Sequence, residues 1–297
     1  MAQSHILVGA SERTATDPVV RRIVPADLMD ALKKGYDDFA AMPSHAIFLC
    51  IVYPLIGLLL AGLTLGYTLL PLLFPLAAGF ALVGPFAAIG LYELSRRREA
   101  GVDVAASDAL DVLRSPSIGA IVALGVLLMA IFLIWIAVAN AIYVAYFGYA
   151  APTSIGQFAH DLLTTSAGWK LIVVGNGVGF LFALTVLMIS VVSFPLLLEH
   201  EVGAAVAVLT SVRAVIANPV TTALWGLIVA GLLMIGSLPL FLGLPVVLPV
   251  LGHATWHLYR KIVEAHASPR ADFRPQPKGR RYAAEFPVSL ISGRRDD

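Results

Sequence analysis

Residues 109–146 read ALDVLRSPSIGAIVALGVLLMAIFLIWIAVANAIYVAY, and this stretch decides the fold. Eight residues with a short amphipathic, charged pattern end at Ser115-Pro116, and a run from 118 to 146 follows without one charged side chain. A hydrocarbon core about 30 Å thick is crossed by a helix of about 20 apolar residues, so the run is long enough to span. The same arrangement occurs twice more. The segment 26–42, ADLMDALKKGYDDFAAM, leads to Pro43, and 207–218, AVLTSVRAVIAN, leads to Pro219. Two apolar runs follow each proline, which predicts spans at roughly 46–66, 70–94, 118–146, 170–197, 220–238 and 241–261. The expected fold is all-α, a polytopic membrane protein with six transmembrane helices. They fall into three units, about 26–98, 104–199 and 202–262, each a surface helix plus a helical pair. This membrane domain covers 26–265, between a flexible tail at 1–25 and an extended tail at 266–297.

Composition agrees. Of 297 residues 59% are hydrophobic and 13% charged, with a mean hydropathy of +0.85; soluble domains carry roughly 25% charge. The bilayer is therefore the first expected partner. The net charge of +1, with basic residues beside apolar runs and not in a patch of their own, gives no reason to expect nucleic acid. Cys50 is the single cysteine, so no intrachain disulfide or thiolate cluster can form. The polar N-terminal stretch lacks the apolar core of a signal peptide, and the first span is expected to act as the insertion signal.

Within 26–42, Leu28, Leu32, Tyr36 and Phe39 recur at helical spacing, with Asp27, Asp30, Lys33, Lys34, Asp37 and Asp38 elsewhere on the circumference. Such a helix is too polar to span and is expected to lie along the membrane surface. Arg21, Arg22, Lys33, Lys34, Arg96, Arg97, Arg98, Arg114, Arg213, Arg260 and Lys261 fall on one side of the six-span scheme, and only Lys170 on the other. The positive-inside rule then makes both termini cytoplasmic. Between the third and fourth spans, Ile155, Phe158, Leu162 and Leu163 predict a short helix on the outer surface. The glycines of GNGVG, 175–179, predict a helix-packing face.

Three segments together carry a resemblance. VRRIVPADLMDALKKGYDDFAAMPSHAIFLCIVYPLIG, VGPFAAIGLYELSRRREAG and LPVVLPVLGHATWHLYRKIVEA resemble a bacterial family of predicted integral membrane proteins, the domain of unknown function 2189, over about residues 20–266. The resemblance implies insertion in a bacterial inner membrane but brings no activity or site residues. Some members carry an automatic label relating them to cytochrome c oxidase subunit I. A haem-copper catalytic subunit needs about twelve spans and six histidine ligands, including a His-Pro-Glu-Val-Tyr segment. Six predicted spans, seven histidines in all and no such segment exclude that role.

For chemistry, the ionisable residues at the cytoplasmic helix ends stand out: Glu93, Glu199, His200, Glu201, His253 and His257. His253 and His257 are four apart, hence on one helix face. With a carboxylate from another helix they are the candidate metal ligands, together with Glu93, Glu199 and His200. The competing reading is structural: His253 bonded to a backbone carbonyl, to Asn140 or to a serine, and His257 at headgroup level beside Trp256, Tyr259 and Arg260. No cofactor is expected. GxSxG, HExxH and GxxxxGK[ST] are all absent, so no enzyme is expected. The expected function is a non-enzymatic accessory, assembly or scaffold component of a membrane complex, a respiratory complex being one candidate. The alternative is a transporter or channel for a small or lipophilic solute, suggested by Gly and Pro in the spans: Pro75, Gly79, Pro85, Gly175, Gly177, Gly179, Gly243, Pro245 and Pro249. Against it, no Asp, Glu, Lys or Arg lies deep in any predicted span.

Overall fold

A computed structural model describes residues 18–42, 55, 70–239 and 241–264, and the helix is the regular element throughout them. Helix α1, Pro25–Ala41, opens on proline, whose missing N–H falls where no helical bond is made. Asp27 caps it by accepting from the Val24 amide at 2.9 Å. A short 3₁₀ turn, Leu70–Leu72, leads into α2, Leu73–Ala87, and after a bend at Ala88 into α3, Ile89–Glu99. Pro85 lies inside α2, and the break comes three residues after it. The charged stretch that follows forms a 3₁₀ segment at Ala106–Arg114 before α4, Ile118–Phe147.

The predicted outer helix is α5, Ile155–Thr164, whose N-terminus is capped by Ser154 Oγ accepting from the Gln157 amide. Next come α6, Ser166–Ser190, and α7, Ser193–Glu199, separated by a break just ahead of Pro195. Serine hydroxyls fill the break, Ser190 bonding the Val186 carbonyl and Ser193 those of Ile189 and Ala207. That is how a proline is accommodated where water is scarce. The chain ends its described part with α8, Ala204–Ala217, α9, Pro219–Ser237, and α10, Leu244–Ile262.

Among the described residues, four stretches are long and apolar enough to cross a membrane: 70–99, 118–147, 166–199 and 219–237. They leave apolar side chains such as Val126, Leu133, Val173, Phe180, Leu227 and Met234 exposed, as an apolar solvent permits and water does not. Of the six expected spans, 46–66 lies outside the described residues but for Leu55, as do Pro43, most of the 1–25 tail and the 266–297 tail. The sixth forms as helix α10 but is not among the four, because its second half carries His253, His257, Arg260 and Lys261 and is packed inside protein.

The partner that covers it is α1, which runs antiparallel along α10 from the Asp27–Lys261 ion pair to the contact of Gly35 with Val250 and Ala254. A β-carbon at Gly35 would sit 2.6 Å from the Ala254 nitrogen, so the two backbones touch only because residue 35 has no side chain. The expected face of α1 is corrected accordingly. Leu28, Ala31, Gly35 and Asp38 are buried, while Tyr36 is 58% exposed. Small residues permit a closer approach than the larger apolar ones, and Asp38 finds polar partners in the seam. The expectation for GNGVG is also corrected in part: Gly179 packs on the Trp135 ring, but Gly175 and Gly177 face open space. The largest fully buried side chains include Trp256, Tyr259, Phe194 and Leu258, packed in one core with Leu28 of α1 and Tyr92 of α3.

Candidate functional site

Charged helix ends converge on this core because α3 and α7 outrun the apolar part of their spans and α10 returns beside them. α3 carries Glu93, Ser95, Arg96, Arg97 and Arg98 in its last two turns, so one helix end supplies side chains to three groups of partners. Glu93 accepts from Arg96 Nε at 2.7 Å and Nη2 at 2.8 Å, and from Arg97 Nε at 2.6 Å. Arg97 turns its other nitrogens to Asp111 at 2.7 Å and Asp108 at 3.2 Å, tying the 3₁₀ segment to α3.

The second group centres on Asp38 of α1, which is only 5% exposed. Its carboxylate accepts from Ser95 Oγ at 2.6 Å, stands 2.8 Å from His257 Nε2, and pairs with Arg98. Ser95 Oγ is also 2.7 Å from Nδ1 of His253, a fully buried imidazole. With the one Ser95 proton given to Asp38, His253 donates from Nδ1. Burial works against the charge on Asp38, but the hydrogen bonds from His257 and Ser95 outweigh it and hold the carboxyl below its ordinary value of 3.8. A serine between an acid and an imidazole is not a nucleophilic arrangement. Ser95 is fully buried, and an activated hydroxyl needs the imidazole as its base with the acid behind that imidazole.

In the third group, Glu199 accepts from Tyr259 Oη at 2.6 Å and from Arg260 Nη1 at 2.9 Å, with His200 Nε2 at 3.7 Å. Glu99 takes Trp256 Nε1 at 3.0 Å and Arg260 Nε at 3.2 Å. Around the rim, Lys261 pairs with Asp27 and Asp30, both at 2.9 Å. Asn218, at the start of α9, accepts from the Ile23 amide at 2.8 Å and donates to the Arg21 carbonyl at 3.0 Å.

The metal candidates of the sequence are thus distributed over separate partners. His253 and His257 are joined through Ser95 and Asp38; Glu93 belongs to the Arg96 and Arg97 group; Glu199 belongs to Tyr259 and Arg260, with His200 beside it; Glu201 is exposed. Among the described residues no group of three or more His, Cys, Asp or Glu has metal-holding geometry. His253 has the serine partner that the structural reading required. Asp38, Ser95 and Asn218 were missed. The usable signal for Asp38 was its spacing from Leu28, Ala31 and Gly35 on one face.

Residues 72–199, which take in the helices from the 3₁₀ turn before α2 to α7, match the family model described as predicted integral membrane protein, DUF2189. This is the family that the sequence motifs resemble. No match was found among the curated proteins or among the solved structures. The match covers α3, with Glu93, Ser95 and the three arginines, and α7 with Glu199, but leaves out α1 and α10. Half of the polar assembly therefore lies on each side of the matched boundary.

Proposed function

We propose that this integral membrane protein is a non-enzymatic accessory or assembly component of a membrane complex. One observation carries the reading: the carboxylates Asp38, Glu93, Glu99 and Glu199 each bond basic or aromatic N–H or O–H groups of the protein itself, so they close a structure and do not line a path. What faces outward over most of α4, α6 and α9 is apolar side chain, suited to lipid or to partner helices. In this reading the chain crosses a bacterial inner membrane six times, 46–66 being the first crossing and α10 the last return. Both termini are cytoplasmic, by the excess of basic residues near the polar assembly. A respiratory complex is one candidate partner.

Purification of the full chain in mild detergent, with mass spectrometric identification of what accompanies it, tests the role. A reproducible set of membrane subunits at near-integral ratio supports it, and a chain that elutes alone under every detergent tried overturns it. A reporter fused after Gly156 should behave as external, and a cytoplasmic result would overturn the orientation. The second reading, a carrier for a small or lipophilic solute, draws on the breaks at Ala88 and at Val191-Val192 in two spans. Solute flux into vesicles containing the purified chain would favour it over the first.

A further inference from the structure

The opposite end of the bundle has a different chemistry. Along α4 the rise of about 1.5 Å per residue puts Tyr143 about 38 Å from Ile118, which lies at the polar assembly. There the end of α4, the loop after it and α5 enclose a cleft of about 230 Å³. Three rings line it. Tyr143 and Phe147 are stacked with centroids 5.5 Å apart and planes 6° from parallel. Phe158 of α5 stands at 65° to Tyr143 and 61° to Phe147, with centroids 6.3 and 6.2 Å away, so the rings make two walls of a corner. Tyr143 Oη donates to the Ala150 carbonyl at 3.1 Å and so ties the loop to the same ring.

The cleft also has one carboxylate, Asp161. Its Oδ1 accepts from the Gln157 side-chain Nε2 at 2.8 Å, and the exposed His160 Nδ1 is 3.6 Å away. Among the described residues no Lys or Arg is within ion-pair distance of it, in contrast to Asp27, Asp38, Glu93 and Glu199 at the other end. Negative charge is thus presented beside aromatic walls, with no lysine or arginine among the described residues to neutralise it and only the exposed His160 nearby.

We propose that this cleft binds an organic ammonium group. Ring faces attract a cation through their quadrupole, and the carboxylate fixes its position. An anion would be repelled by Asp161, and a bare metal ion would find one carboxylate and no second ligand of that kind in the cleft lining. The volume lies below the range of roughly 300–1,000 Å³ usual for drug-sized ligands, which suits a head of choline or ethanolamine size. Such a head comes either from a free solute or from a phospholipid whose glycerol and chains stay in the bilayer.

The test uses the full chain in nanodiscs of phosphatidylglycerol, titrated calorimetrically with choline chloride against a potassium chloride control. Saturable binding is expected, at least about tenfold weaker in Asp161→Asn, which keeps the acceptor for Gln157, and weaker in Phe158→Leu, which keeps apolar bulk without the ring. In a second arm, nanodiscs contain a minor fraction of phosphatidylcholine or phosphatidylethanolamine, and lipid retained after detergent extraction is counted by mass spectrometry. Choline binding with no retained lipid assigns a free solute; selective retention of the ammonium lipid, lost in Asp161→Asn, assigns the headgroup. Absence of both, or binding unchanged in both variants, overturns the proposal. Should Asp161→Asn yield no folded protein, Phe158→Leu decides by the same measurements.

Discussion

Asp38 Oδ2 and His257 Nε2 lie 2.8 Å apart across the α1–α10 seam, although 219 positions separate them in the chain. The contact converts a helix that reads as a surface element into part of the core. It also explains why α1 can present Lys33, Lys34 and Asp37 to solvent while its other face is fully covered.

Removing Asp38 leaves Ser95, His257 and Arg98 without their shared acceptor. Loss of one partner of a buried ionic group costs about 3–5 kcal/mol, and because Arg98 is 38% exposed the lower figure is expected for Asp38→Ala, about 3 kcal/mol. The His257→Ala variant should cost less, and the double variant should fall short of the sum by about 1 kcal/mol or more, the mark of direct coupling. Thermal unfolding in detergent of the two single variants and the double one measures it. Strict additivity would show that the contact contributes nothing of its own.

Acid should loosen the same seam. Asp38 has a folded pKa below 3.8, so its contribution is fully present above that value and is lost as pH falls through the lower folded one. Asp27, held down by the Val24 amide and then Lys261, and Asp30, held down by Lys261 and then Lys34, act with the same sign, but both are far more exposed and count for less. Melting temperature between pH 6 and pH 3 should drop mainly at the acid end, with a shallower fall in Asp38→Asn. A steeper fall in that variant would contradict the assignment.

Long apolar runs were legible because a bilayer admits few alternatives, and the stretches 118–147 and 166–199 appear where hydropathy put them. The short helix at 155–164 was legible too, from four apolar residues at helical spacing. The face of α1 was not. Pattern reading weights large apolar side chains, whereas this seam is built from Ala31, Gly35 and a carboxylate, whose burial depends on partners from α3 and α10 far along the chain. For the same reason Glu93 and Glu199 stand out in the sequence, but their arginine and tyrosine partners do not. Arg96 and Arg97, three and four residues after Glu93, were the local sign of its pairing.

The two kinds of glycine should respond oppositely to one methyl group. At Gly35 the added carbon meets backbone atoms of Val250 and Ala254 at 2.7 and 2.6 Å, so α1 must move; overpacking of this type costs about 1–3 kcal/mol. At Gly175 it meets nothing within 4 Å, and alanine in a helix is favoured over glycine by roughly 0.5–1 kcal/mol. Gly35→Ala should therefore lower the unfolding temperature and Gly175→Ala leave it unchanged or raise it. If both substitutions were neutral, the close α1–α10 approach would be wrong.

Asn218 offers the most local test. In the sequence it is merely the residue before Pro219, yet its side chain accepts from the Ile23 amide, donates to the Arg21 carbonyl and donates to the Ala214 carbonyl at 3.0 Å. It thereby ties the segment ahead of α1 to the junction of α8 and α9. The segment has a second tether, the bridge between Val20 and Val263, with the Arg21 amide donating to Ile262 at 2.7 Å. Asn218→Ala strips a partner from buried backbone groups, each worth about 1–3 kcal/mol when left unsatisfied. Asn218→Asp keeps the acceptor for Ile23 but loses the donor to Arg21, and should fall between wild type and alanine. Hydrogen exchange followed peptide by peptide reads this directly: residues 20–24 should exchange faster in Asn218→Ala, with α4 and α6 unaffected. Protection of 20–24 that is the same in all three proteins would show that the bridge to Val263, the Thr221 bond to Ile23 and the Arg21–Glu264 pair hold the segment without Asn218.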